Sequence, residues 1–293
     1  RISLMTGMNS VNHRVTNWTL RPNVKKPAEI NHKEFEFPDW NYNGLSTIPG
    51  VNNTVHATSL PQILKDNGYY TIHAGKAHLG AISLPSSDPS NIGFDINIAG
   101  HAAGAPQSYL GIENFGNGDE KNKIWAVPGL EKYHGQDIFL TEAITQEIFY
   151  SLNKPRELNT PYFLYFSLYN VHTPLKEDKR FSDKYRDLGL HPAEIKYASM
   201  IESMDYALGS ILNNISANNE LDNTVIIFMS DNGGLSAVAR GGEKHTHNWP
   251  LKSGKGSIYE GGIRVPMIVY DPNATFDGGE IDKPLIIEDF FPS

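Results

Sequence analysis

Ser59-Leu-Pro-Gln-Ile-Leu-Lys-Asp-Asn-Gly68-Tyr-Tyr70-Thr-Ile-His-Ala-Gly75-Lys76-Ala-His78-Leu-Gly80 holds a helix start, a helix stop, a strand and a polar loop in one continuous run. The Ser59 hydroxyl suits an N-cap, where it accepts from an N–H of the first turn, so the run predicts a helix over Leu60–Asp66. Gly68 tolerates the left-handed backbone that commonly ends helices. Tyr70 to Ala74 is short, apolar and β-branched or aromatic in part, as expected of a strand buried in a covered sheet. Just beyond that strand the chain turns polar and charged, in Gly75-Lys76-Ala-His78-Leu-Gly80.

The same grammar repeats outward from this stretch. Tyr162 to Leu168, Val225 to Met229 and Met267 to Tyr270 read as further buried strands. Met200, Ile201, Met204, Ala207, Leu208, Ile211, Leu212 and Ile215 recur at three- and four-residue intervals and predict one face of a long helix, and Ala143, Ile144, Ile148 and Leu152 predict another. Strands alternating with helices imply an α/β fold with a mostly parallel central sheet and helices on both faces. Residues 9 to 58, 82 to 135 and 235 to 252 lack periodicity and are rich in Gly, Pro, Asn and His, so they are expected to be long surface excursions. The whole of residues 1–293 is expected to form a single domain. In such folds the functional residues gather beyond the carboxyl ends of the strands.

Composition narrows the function classes. The 293 residues are 39% hydrophobic and 20% charged, enough for a large core and too apolar for a disordered chain. A formal charge of -8 argues against a broad phosphate-backbone-binding face, so no nucleic-acid partner is expected. A few cations focused in a cleft remain compatible with a small anionic ligand. No apolar run is long enough to span a bilayer, and no membrane partner is expected. With no cysteine, disulfides and thiolate metal sites are excluded. The sequons at Asn17, Asn52, Asn214 and Asn273 are read as chance in an Asn-rich chain.

Four segments carry chemistry. Val225-Ile-Ile-Phe-Met-Ser-Asp231-Asn232-Gly-Gly places a carboxylate and an amide oxygen at a strand end, which suits a hard cation such as calcium or magnesium; the same residues are also a turn signal. Lys252-Ser-Gly-Lys255-Gly offers an ammonium on a Gly-bounded loop. Lys76 and His78 lie two apart, so an extended segment would turn both to one side. Asn170-Val-His172-Thr-Pro puts another imidazole just after a strand. Each alone has an ordinary structural reading, and their convergence on strand ends is what points to an oxyanion site.

Taken together, these motifs resemble the type I sulfatases of the alkaline phosphatase-like superfamily. Arg1-Ile-Ser-Leu-Met-Thr-Gly7 looks like the tail of that family's Cys/Ser-x-Pro-Ser-Arg signature. The loop at Gly44-Leu-Ser and the Gly75-Lys-Ala-His motif look most like sulfatases of polysaccharide-degrading bacteria. The resemblance implies a sulfatase core lacking its first strand and its C-terminal subdomain. It also implies a Cys or Ser four residues before Arg1, converted to formylglycine by a formylglycine-generating enzyme, and an aspartate pair on an earlier strand. By that resemblance Arg1 holds the formylglycine, Lys76, His172 and Lys255 contact the sulfate, and His78 assists its expulsion. Asp231 and Asn232 match metal ligands, with Ca2+ expected and Mg2+ as the variant.

The implied activity is sulfuric ester hydrolysis on a sulfated carbohydrate, in the periplasm or outside the cell, with this chain inactive by itself. His101 and His247 are candidate substrate-binding residues, and Arg240, Lys244 and His245 lie near the second of them. Two alternatives stay open: a phosphodiesterase or phosphonate hydrolase of the same superfamily, and a sulfated-glycan-binding pseudoenzyme.

Overall fold

The computed structural model describes residues 1–15, 19–25, 34, 38–235, 248–275 and 278–292. The chain divides into two compact units, Arg1–Tyr169 with Lys283–Ser293, and Asn170–Asp282.

The first unit contains α1 (Ile2–Thr6), α2 (Ser10–His13), β1 (Gly44–Ser46), β2 (Thr54–His56), α3 (Leu60–Asp66), β3 (Tyr70–Gly75), β4 (Ile96–Ile98), α4 (Leu140–Leu158) and β5 (Tyr162–Ser167). Its main sheet runs β4-β3-β5, all parallel, and β1 pairs β2 in parallel beside it in sequence. Parallel neighbours need long connections, and the β3-to-β5 crossover contains α4, which packs against β3 and β4. The predicted seam of α4 is confirmed, with Ala143, Ile144, Ile148 and Leu152 all buried.

Register fixes which side chains share a face. Thr71, His73 and Gly75 stand opposite Phe163, Tyr165 and Ser167. His73, Phe94, Phe163 and Tyr165 form an aromatic group on that face. Around it sits a core of Ile2, Met5, Leu45, Val55, Ala77, Leu79, Ile92 and Phe94. Helix α3 starts and stops where the sequence places it: Ser59 accepts from the Gln62 N–H, and Gly68 has a φ of 87° just past the end.

Residues 82 to 135 correct one expectation. They are not a surface excursion: Ile92, Phe94, Ala102, Ala103, Tyr109, Phe115, Val127 and Leu130 are buried. The segment is built from short 3-10 turns and from β4, whose burial follows no repeating period, so periodicity alone does not detect it. Within 9 to 58, the pair β1 and β2 likewise replaces part of the expected excursion.

The second unit contains α5 (Asp183–Asp187), α6 (Pro192–Ala217), β6 (Ile226–Met229), α7 (Glu260–Ile263) and β7 (Met267–Tyr270). Helix α6 buries Ser199, Met200, Ser203, Ala207, Ile211 and Ile215, while Ile201 and Leu212 are exposed, so the apolar stripe is narrower than the sequence suggests. β6 and β7 form an antiparallel ribbon. Their composition predicts burial, yet Ile227, Ile268 and Val269 are 48%, 65% and 50% exposed. β-branched composition favours pairing, but burial needs a covering layer that two strands do not supply themselves. Among the described residues no helix is long and apolar enough to cross a membrane.

Candidate functional site

In the first unit, the end of β3 meets the start of the chain. The Arg1 guanidinium donates to the Lys76 carbonyl at 3.1 Å and to the Tyr165 hydroxyl at 3.2 Å. Arg1 is also the residue preceding α1. The Lys76 carbonyl accepts from the Ser167 hydroxyl at 2.6 Å, and the Lys76 N–H donates to the Ser167 carbonyl at 2.7 Å. Lys76 is 7% exposed, which is unusual for an ammonium-bearing residue. Arg1 and Lys76, both read from the sequence as anion-site residues, are thus neighbours.

His78 lies two residues further along the same loop. Its backbone is not extended, as expected from the Lys-x-His spacing, but left-handed with a φ of 52°. The reason is its anchoring: the His78 N–H donates to the His101 carbonyl at 3.0 Å instead of to a neighbouring strand. His101, expected to bind substrate, is therefore beside His78. Its ring lies near Tyr169, and the Ala103 N–H donates to its Nδ1 at 3.4 Å. This leaves the proton on Nε2, which is buried and has no hydrogen-bonding partner among the described residues. Desolvation lowers the His101 pKa to about 4, so the ring is neutral at pH 7.

His73, on β3, belongs to no motif in the sequence. It is fully buried; its Nδ1–H donates to Asn97 Oδ1 at 3.2 Å. Desolvation first, then the positive charge of Arg1, lower its pKa to about 3.

In the second unit, Asp231 and Asn232 follow β6 after Ser230, at a bend, with Asp231 exposed and Asn232 half-buried. The Asn232 amide nitrogen donates to the Gly233 carbonyl at 2.9 Å, which leaves its Oδ1 as the oxygen available to a cation. Backbone bonds stitch this turn to the Lys255 loop: Gly233 N–H to the Gly262 carbonyl at 3.0 Å, and Lys255 N–H to the Gly234 carbonyl at 3.0 Å. A Cβ on Gly233 would overlap the Gly261 carbonyl, so only glycine allows this approach. Asn248, which no sequence motif marks, completes the tie. Its Oδ1 accepts from the Gly234 N–H, and its Nδ2 donates to the Gly234 and Ser253 carbonyls, each at 3.0 Å.

Lys252 places its ammonium 3.9 Å from the Tyr259 ring centroid, a cation–π contact. His172 lies in the same unit after β5, between the cis peptides Asn170–Val171 and Thr173–Pro174. Its Nδ1–H donates to the Thr173 carbonyl at 2.8 Å, so Nε2 becomes a donor to an anion when the ring is protonated.

The structure thus groups Arg1, Lys76, His78 and His101 in one unit, and Asp231, Asn232 and Lys255 in the other, which also holds His172. His247, Arg240, Lys244 and His245 lie outside the described residues. Among the described residues no group of three or more His, Cys, Asp or Glu side chains is arranged to hold a metal ion. Asp231 and Asn232 are oxygen donors of the kind calcium prefers, so they fit a share of its coordination and not all of it.

Comparison with known proteins gives a consistent picture. A family model described as Sulfatase matches residues 1–293. Arylsulfatase J of Mus musculus is 29% identical over 242 residues, covering 80% of this chain and 38% of that protein. A protein described as Sulfatase from Formosa agariphila is 27% identical over 280 residues, covering 80% of this chain and 48% of that one. The chain therefore spans less than half the length of these curated relatives. The crystal structure of Ps i-CgsB in complex with k-i-k-neocarrahexaose superposes with a TM-score of 0.74 at 26% identity, over 99% of this chain and 58% of that one. The PsFucS1 sulfatase from Pseudoalteromonas sp. shares the fold, with a TM-score of 0.61 at 21% identity, over 99% of this chain and 55% of that one.

Proposed function

We propose that this chain, which belongs to the sulfatase family, is the core of an enzyme that hydrolyses sulfate esters on a sulfated carbohydrate. The observation that carries this reading is the Arg1 guanidinium on the Lys76 carbonyl at 3.1 Å, because it joins the tail of the nucleophile signature to the Lys-x-His motif. The likeness to a structure containing k-i-k-neocarrahexaose supports a carbohydrate substrate.

Breaking a sulfate ester moves negative charge onto the leaving oxygen and the remaining sulfate oxygens. Fixed positive charge in a dry pocket stabilises that change without reorganisation. In this reading Lys76, His172 and Lys255 bind and orient the sulfate, and the burial of Lys76 keeps its charge away from competing water. Arg1 orients the nucleophile, and His78 holds and transfers the proton during sulfate expulsion. His101 and His247 contact the carbohydrate. A formylglycine preceding Arg1 supplies the nucleophile, and a calcium ion, held in part by Asp231 and Asn232, supplies positive charge. Sulfated polysaccharides do not cross membranes, so a periplasmic or secreted location is proposed with this function.

Two oxygen donors are too few for tight calcium binding, so the chain by itself is proposed to be inert. The test compares sulfate release from sulfated oligosaccharides by this chain and by a longer protein carrying it with formylglycine in place. Release by the longer protein alone is expected. Turnover by the chain alone, or release of phosphate from phosphodiesters in preference to sulfate, would overturn the reading.

A further inference from the structure

We infer that Gly104 is a positioning residue for His78, an assignment that rests on the role proposed above for that histidine. The loop from Ala99 to Gly104 leaves β4 and passes beside the His78 imidazole. An ideal Cβ on Gly104 would lie 2.6 Å from Nδ1, 2.7 Å from Cε1 and 3.2 Å from Cγ of that ring. The first two are closer than a real Cβ tolerates, the third is tight, and all three belong to one side chain. Gly104 does not have a left-handed φ, so its backbone accepts alanine without strain. A methyl there meets the imidazole first.

The loop cannot readily retreat. Asn97 brackets Gly100, with Oδ1 accepting its N–H at 3.0 Å and Nδ2 donating to its carbonyl at 2.9 Å. Tyr169 donates to the Ala99 carbonyl at 2.8 Å, and Ala102 and Ala103 are buried. The His78 backbone is fixed too, by the 3.0 Å bond from its N–H to the His101 carbonyl. A methyl at Gly104 therefore displaces the imidazole about its own side-chain bonds, and the bare Gly104 backbone is what admits the ring at its present orientation.

The test is a double-mutant cycle on the full-length protein with formylglycine in place, using para-nitrophenyl sulfate. Displacing a catalytic group by about 1 Å costs about 100-fold in turnover. Gly104→Ala is expected to lower kcat about 10- to 100-fold with KM within about twofold. In a His78→Ala background it is expected to change kcat less than about twofold, since the ring it displaces is gone. Thermal melting supplies the second readout. Any loss of Tm from Gly104→Ala is expected to vanish in the His78→Ala background. An unchanged kcat in Gly104→Ala, or equal losses of kcat and Tm in both backgrounds, would overturn the assignment. Full activity in His78→Ala would instead sink the catalytic reading of His78, and the melting cycle would still decide whether Gly104 and the ring touch.

Discussion

The His78 N–H donates to the His101 carbonyl at 3.0 Å, joining the loop after β3 to the loop after β4. Adjacent parallel strands bring their carboxyl ends side by side, so residues far apart in sequence become backbone partners. The loop after β5 joins the same construction through Tyr169, whose hydroxyl donates to the Ala99 carbonyl and whose own carbonyl accepts from Tyr109.

Tyr169→Phe should therefore weaken the first unit. Tyr169 and its bond to Ala99 are buried, and removing the hydroxyl leaves a carbonyl with neither water nor donor. A loss of about 1–3 kcal/mol is expected. Thermal unfolding checks this, and an unchanged midpoint would show that the carbonyl finds another donor.

Acid should destabilise the fold through His73 and His101. Both have lowered pKa values in the folded state, about 3 and about 4, while an unfolded histidine titrates near its ordinary value of about 6.5. Between these limits the unfolded chain binds more protons, so stability is complete above pH 6.5 and declines as the pH falls towards 4. The linkage slope is about 1.4 kcal/mol per pH unit for each histidine. Chemical denaturation across that range should show the decline, and His101→Gln should make it shallower. Equal slopes in the two proteins would place the His101 ring in water.

Much of this architecture is written locally in the sequence. The α3 boundaries follow from Ser59 and Gly68 because capping is decided within a turn, and β7 over Met267–Tyr270 follows from a short apolar run. β1, β2 and β4 are not legible there, since each is three residues long and exists only through its partner. Lys76, His78 and Lys255 stand out as two ammonium groups and an imidazole on Gly-bounded loops. Asn248 and Gly104 do not, because their importance lies in contacts with Gly234 and His78 that no local pattern encodes. Tyr165 reads as part of an apolar strand, yet its hydroxyl accepts from Arg1.

Metal removal tests the Asp231-Asn232 turn. In the full-length protein, a chelator should lower turnover at least about tenfold and calcium should restore it. In Asp231→Ala the added calcium should restore little, because a hard cation loses a charged oxygen ligand. Full recovery in that variant would remove Asp231 from the metal site.

The most direct measurement is inorganic sulfate released from sulfated oligosaccharides by the full-length protein with formylglycine in place, wild type against Lys255→Ala. The proposed role of Lys255 at the sulfate predicts release by the wild type and a fall of orders of magnitude in the variant. Near-normal release by Lys255→Ala, or none by the wild type, would contradict it.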